Sequence, residues 1–463
     1  MATTEILDSI EKKRTWLSVV GQLSTVVSIK TRNASPNLHP VIQIRLLQLG
    51  DIHMGMPRDP AIDIKDRKYP APVASLTTMD PLISAARFAV NLLRTNPVDA
   101  ILLVGDLAHQ GNAKEYQKCV DYLVQLILDE WHKASKPVLC VPGNHDIDRT
   151  VIPLDVTVGQ IWDKFVPLEA AWKKYGMPIL ATSEVKSFTV KKSEALAEIT
   201  ALNSCLGCGE YRGLPADLRE AAHELVKKAV SADDKWKAIE QIDSPAFAGE
   251  HIEAAQRQID GNHKVNVVLA HHNLLPQSTP RVALYAELIN GGQVRAMLAQ
   301  AKSPTLYCHG HIHDDPIEIV SVPNIGAAPM VSISAPILDH GFNVLELTYT
   351  NTGLPLGVIV QKFKIGRSHT FSARPHEEIR IPFRSSAEYF PNYQPPRSSM
   401  VEIIRRDDGS RFPALLDELN KSFSHLKEED LAAMLLEAEW YGIVRIVDRE
   451  GHPDSWQILR VSL

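Results

Sequence analysis

Apolar and polar positions along the chain follow two rhythms. Ala100–Val104 and Val138–Val141 are unbroken apolar runs, the pattern of strands buried on both faces, and Ile42–Leu49 reads as a strand that precedes them. Between them, Pro81–Arg94 places apolar residues at 82, 83, 86, 89, 90 and 93, which is helical spacing, and Tyr116–Trp131 reads as a second helix. This βαβαβ alternation predicts an α/β core. It pauses over residues 151–262, a mostly helical stretch anchored by Trp162, Phe165, Trp172 and Tyr175, with a strand-like Ile199–Asn203 inside; this stretch is expected to cap the core. The alternation resumes with a strand at Val265–Leu269, a helix at Ala283–Ala299 and a strand at Thr305–Cys308. Consecutive strands fill 317–365, among them Met330–Ser334 and Asn343–Tyr349.

The ends of the chain differ from this middle. Residues 4–28 read as a helix and 31–40 as a turn-rich linker. The composition shifts beyond about 365, where Pro391, Pro395 and Pro396 mark a second linker. The tail carries helices at 412–423 and 427–439, then strands at Ile443–Asp448 and Gln457–Val461, an order compatible with a small winged helix. The expected division is a helix and linker over 1–40 and a core domain over 41–365 that includes the 151–262 insertion. A basic, aromatic segment with linker over 366–409 and a C-terminal α+β module over 410–463 complete it.

Composition narrows the class. The net charge of −6 argues against a generally basic nucleic-acid binder. Residues 361–400 are locally basic, with seven Lys/Arg against three Glu and six interleaved Phe and Tyr, but packing and a solvated strand face account for them more simply than nucleic acid does. The tail helix 427–439 carries Glu428, Glu429, Asp430 and Glu437, which phosphates would repel, against a DNA-reading winged helix. Five scattered cysteines are too few for a disulfide framework and favour a reducing, cytoplasmic setting. No apolar run reaches the ~18 to 20 residues that cross a bilayer. Trp16–Ile29 imitates a signal peptide only faintly, because Ser, Gly, Gln and Thr interrupt it.

The chemistry sits at the strand ends. Asp51-Ile52-His53, Gly105-Asp106, Gly143-Asn144-His145-Asp146, His271-His272 and Gly310-His311-Ile312-His313 each follow an apolar run. In α/β sheets, sites form at the carboxyl ends of strands, so the five segments are expected to converge on one crevice. Asp, Asn and His donors without thiolate suit manganese, iron or zinc better than magnesium or calcium. Two such ions ~3.5 to 4 Å apart can clamp a phosphoryl group and generate hydroxide at neutral pH. Holding two like charges so close needs a bridging carboxylate, for which Asp106 is the best placed.

The ordered set D-x-H, GD, GNHD, H and GHxH resembles the calcineurin-like metallophosphoesterase superfamily over roughly residues 42–350. The resemblance implies a four-layer αββα sandwich of two mixed β-sheets, here with a helical insertion and a small C-terminal α+β addition. It implies two divalent ions: Asp51, His53 and His313 on the first, Asn144, His271 and His311 on the second, and Asp106 between them. It implies that His145 does not ligate but stabilises the phosphate and protonates the leaving oxygen. Hydrolysis would proceed by in-line attack of a metal-activated hydroxide.

One position sorts subfamilies. Where many members carry an Asp three residues past the bridging one, this chain has His109, as in the double-strand-break repair nucleases of the superfamily. Gly111–Tyr116, read as G-x-x-x-x-Y, is closer to small phosphodiesterases. A phosphodiesterase with manganese is therefore expected, with His145 and His109 catalytic. A DNA or RNA nuclease, a phosphomonoesterase and a scaffold whose C-terminal module binds a protein partner are the rival readings. The substrate would be a phosphate ester, a nucleotide or nucleic acid included. Asp146 reads as a structural turn residue. Arg149 and Arg212 are candidate phosphate contacts. Cys205-Leu206-Gly207-Cys208 is a single CxxC, which fills a loop or forms a labile disulfide; four zinc ligands are not visible around it.

Overall fold

The computed structural model describes residues 41–56, 81–128, 137–149, 161–176, 178–210, 216–229, 231, 234, 238, 240, 243–259, 265–275, 288–313, 316–322, 328–350, 352–364, 375–383, 394–448 and 452–461. The N-terminal helix and linker expected over 1–40, the first residues of the helix expected from Ala283, and Arg212 lie outside them.

Strand β1 (Val41–Leu49) is the hub of a seven-stranded mixed sheet. Helix α1 (Pro81–Thr95) leads to β2 (Ala100–Leu103), and α2 (Ala113–Leu123), continued as a π-helical turn over Val124–Leu128, leads to β3 (Val138–Cys140). Helix α3 (Val166–Lys173) precedes β4 (Ile179–Leu180). These strands run parallel from β1 outward, while β11 (Gly341–Thr350), β12 (Pro355–Lys364) and β13 (Glu377–Pro382) extend the other side antiparallel. The second sheet has six strands in the order β5 (Lys186–Lys192), β6 (Ala195–Ala201), β7 (Val265–Leu269), β8 (Thr305–His309), β10 (Met330–Ser334), β9 (Glu318–Val320). Helices α4 (Ala216–Lys227) and α5 (Gly249–Ile259) separate β6 from β7, and α6 (Gly291–Ala299) separates β7 from β8.

The sheets pack face to face. Ile44, Leu46, Leu102 and Val104 of the first meet Ile199, Val267, Leu306 and Ile333 of the second in one buried layer. The opposite face of the first sheet, with Leu47, Leu49, Ile101 and Leu103, is covered by Ala85, Ala89, Tyr116 and Val120 of α1 and α2. The outer face of the second is covered by Ile252, Ala255, Val294 and Leu298 of α5 and α6. The fold is a four-layer αββα sandwich, and β2 is apolar at every position because both its faces are buried.

One polar link crosses the interface at the strand ends. Gln48 Nε2 donates to the carbonyls of His309 (3.2 Å) and Ile333 (3.1 Å). Asn343 Nδ2 donates to Gln48 Oε1 (3.0 Å) and to the Ser334 carbonyl (2.9 Å). Every partner is buried, so the bonds are strong and costly to lose.

Two expectations need correction. Residues 151–262 are not a helical cap throughout, because β4, β5 and β6 lie within them and belong to the two main sheets. Strand β5 is an edge, with only Val190 fully buried and lysines turned outward, a common protection of sheet edges. Strand β6 is rich in alanine, so neither strand carries a strong β signature. The linker expected up to residue 409 is also too long. Helix α7 (Arg397–Arg406) buries Met400, Val401 and Ile404 against the C-terminal core. Around it stand α8 (Phe412–Asn420), α9 (Glu428–Trp440) and a three-stranded sheet of β14 (Ser410–Arg411), β16 (Gln457–Arg460) and β15 (Val444–Val447). The charges Arg397, Arg405 and Arg406 disguised this helix as part of the basic segment. Residues 365–374 and 384–393 of that segment lie outside the described residues.

Candidate metal centre

Four residues beyond the strand ends adopt left-handed backbone: Asp51 (φ 52°), His53 (φ 45°), Asp106 (φ 51°) and His311 (φ 64°). Such conformations cost free energy in non-glycine residues and persist where the surroundings fix them. Here the loops fix one another. Asp51 N donates to Gly105 O (3.1 Å), His53 N to Asp106 O (2.8 Å), Met54 N to Leu107 O (2.9 Å) and His109 N to Met54 O (3.0 Å). Asp146 braces the next loop: its carboxylate accepts from Ala108 N and Gly143 N, both at 2.9 Å. That places it as the structural residue the sequence suggested. A Cβ on Gly143 would collide with the Asp106 carboxylate and main chain, so only glycine allows this approach.

All seven expected metal-binding side chains meet at these ends. Asp51, His53 and His313 offer donor atoms within 4.8 Å of one another, as do Asp51, Asp106 and His271. Asp106 lies between the groups, with Oδ2 3.3 Å from His271 Nε2 and 3.6 Å from His53 Nε2. Asn144 Oδ1 is 3.1 Å from His271 Nε2 and 3.2 Å from His311 Nδ1. Asp51 Oδ1 accepts from His311 N at 3.0 Å and stands 3.7 Å from His313 Nδ1. His271 Nδ1 donates to the Val104 carbonyl at 2.8 Å, so in the neutral ring it is Nε2, facing Asp106 and Asn144, that carries the lone pair.

The electrostatics favour cations. Burial lifts the Asp51 carboxyl well above the usual range, and Oδ2 of that group is buried without a hydrogen-bond partner. Burial also opposes ionisation of Asp106, but His271, then His145, override it and hold its pKa well below the ordinary value. Burial would depress His271, yet Asp106 pushes it up to about 10, so positive charge is favoured at this point. His53 is pushed down to about 3 by burial, despite Asp106, and is therefore a neutral imidazole. Buried carboxylates, an unpartnered carboxylate oxygen and the neutral imidazole of His53 are donors that fit divalent metal ions, and the positive charge held at His271 is one a bound cation could replace.

His145 stands beside this group, with a ring nitrogen within 4.8 Å of donor atoms of His53 and His109. Its main-chain N donates to Asp106 Oδ1 (2.9 Å), and its Nδ1 lies 2.8 Å from the carbonyl oxygen of His109. A carbonyl only accepts, so Nδ1–H donates and Nε2 faces outward. The His109 ring stacks on that of His145 at 5.6 Å, and His53 meets His145 edge-on at 4.7 Å. Nε2 of His145 is 3.6 Å from Glu240 Oε1. The sequence gives no sign of Glu240; it lies in the insertion, within an ordinary polar stretch.

Other candidates fall elsewhere. Arg149 is fully buried and ion-paired with Asp243, whose other oxygen accepts from Gly209 N at 2.7 Å. It ties the loop after β3 to the insertion. His272 packs its ring against those of His271 and His311, with donor atoms within 4.8 Å of theirs, while its Nδ1 meets Ser204 and Cys205. The five cysteines are buried and none is in a disulfide among the described residues. No helix of the described residues is long and apolar enough to cross a membrane.

Comparison with known proteins agrees with this picture. The family model described as calcineurin-like phosphoesterase matches residues 44–315, which contain all five motif segments. A search of curated protein sequences finds no match. Among solved structures, a dimetal phosphatase from Danio rerio is 12% identical, covering 74% of this chain and 99% of its own, with a TM-score of 0.42. Purple acid phosphatase PPD1 from yellow lupin (Lupinus luteus) is 12% identical, covering 74% and 54%, with a TM-score of 0.38. The NAD nucleotidase NadN of Haemophilus influenzae is 11% identical, covering 75% and 51%, with a TM-score of 0.38. With the family model spanning more than half of its length, the chain belongs to the calcineurin-like phosphoesterase family, hydrolases of phosphate esters.

Proposed function

We propose that the chain is a phosphodiesterase with a dinuclear metal centre. Asp51, His53 and His313 would hold one divalent ion, Asn144, His271 and His311 the other, and Asp106 both. Manganese suits this thiolate-free set, with iron or zinc as the other admissible metals. When bound, the pair of ions would polarise the phosphoryl oxygens and lower the pKa of water.

The protein's own part in the chemistry lies with His145. Its Nδ1–H is committed to the His109 carbonyl, so Nε2 is the atom that can hand a proton to the leaving oxygen. Its ring edge contact with His53 keeps it against the ligand cluster. His109 then acts through its main chain, which orients His145, and through ring stacking.

The preference for a diester rests on Glu240. Its carboxylate, 3.6 Å from His145 Nε2, puts a negative charge where the substrate must sit. A monoester dianion is repelled more than a diester monoanion. The test is a pair of assays with manganese on a generic diester and the matching monoester. Faster diester turnover supports the reading, and a clear monoester preference overturns it. Cleavage of nucleic acid alone, with the small diester untouched, would point instead to the nuclease.

A further inference from the structure

The CxxC loop stands at the end of β6, and His272 at the end of β7, its parallel neighbour. Cys205, Cys208 and His272 offer donor atoms within 4.8 Å of one another, and all three are buried. Cys205 Sγ is 3.9 Å from His272 Nδ1, and the two thiols are in hydrogen-bond contact. In a tetrahedral zinc site, metal–ligand lengths of ~2.3 Å for sulfur and ~2.0 Å for nitrogen put neighbouring donors about 3.5 to 3.8 Å apart. The observed spacing needs only a small contraction.

The tautomer of His272 is suited to ligation. Ser204 Oγ accepts from the main-chain N of His271 (3.3 Å) and of His272 (3.1 Å). Its own proton is therefore directed to His272 Nδ1, 2.9 Å away, so that nitrogen carries the ring's lone pair, which a metal would take over from the hydroxyl. The turn is also built. Cys208 N donates to Cys205 O (3.2 Å), and Gly209 follows with φ +65°. The buried Lys164 ammonium donates to the carbonyls of Cys205 (3.0 Å), Leu206 (2.7 Å) and Cys208 (2.7 Å), holding the loop and placing a positive charge near both sulfurs.

We infer that Cys205, Cys208 and His272 form a separate thiolate site for a single zinc ion. The two thiols release two protons as the cation enters, leaving two thiolates and a neutral imidazole on it, with a water completing the tetrahedron. The site shares no ligand with the dinuclear set, although His272 stands within 4.8 Å of His271 and His311.

Cobalt substitution tests it. The full-length reduced protein, stripped of metal and titrated with cobalt(II), should develop a thiolate-to-metal charge-transfer band in the near ultraviolet. The band should vanish in Cys205→Ser and in Cys208→Ser and persist in Asp106→Asn. Zinc added alone should then bind one equivalent fewer in the double cysteine variant by elemental analysis. No such band in the unmutated protein would overturn the site. So would a band that survives both cysteine substitutions, or one lost with Asp106.

Discussion

The imidazole of His145 is held by the carbonyl oxygen of His109, 2.8 Å from Nδ1, and not by the His109 side chain. Main-chain orientation survives substitution, so His109→Ala should retain most activity, falling by less than about tenfold, whereas His145→Ala should lose about 10²- to 10⁴-fold in kcat. Steady-state kinetics on both variants at fixed manganese decides this. Equal losses would mean that the His109 ring takes part in the chemistry.

Glu240 offers a second contrast. If its charge discriminates against dianions, Glu240→Gln should raise kcat/KM for a monoester relative to a diester by about five- to tenfold, a modest effect because the group is partly exposed to solvent. An unchanged ratio would remove Glu240 from substrate selection.

Metal counting separates the two aspartates. Asp106→Asn should weaken both ions and Asp51→Asn mainly one. Elemental analysis after gel filtration should give a lower metal content for the first variant. Equal retention would show that Asp106 does not bridge.

Gly143→Ala is a test of close approach. A methyl group there meets Asp106 side chain and main chain, and the loop cannot retreat because Asp146 holds it. The variant should fold yet lose metal and most activity; normal metal content would contradict the geometry.

The strand ends were legible because fully buried strands such as β2 and β7 are written as continuous apolar runs, and polar donors immediately after them stand out. The convergence of the seven donor residues followed from that same placement. Strand β5 was not legible behind its edge lysines, and β6 only at its end, in the strand-like Ile199–Asn203, because alanine fills the rest; β5 is fixed by pairing with β6, and β6 by pairing with β7. Glu240 and the His109 carbonyl were beyond reach for another reason. The first is an ordinary acidic residue brought close by the fold, and the second acts through an atom every residue possesses. Helix α7 shows a third kind of loss, where arginines on the solvent face mask an apolar face formed by Met400, Val401 and Ile404.

The donor residues are divided between two sheets: Asp51, His53, Asp106 and Asn144 follow strands of one, and His271, His311 and His313 follow strands of the other. A cation bound among them would be a removable staple joining parts of the chain 260 residues apart, as Asp51 and His311 are. Occupancy and folding are then linked by mass action, and manganese should raise Tm in proportion to the logarithm of its concentration. The Gln48–Asn343 link beneath is the permanent half of the same fastening. Gln48→Leu, remote from any substrate, should therefore loosen metal affinity as well as stability, so that wear in the seam between the sheets is felt first as leakage of the ions.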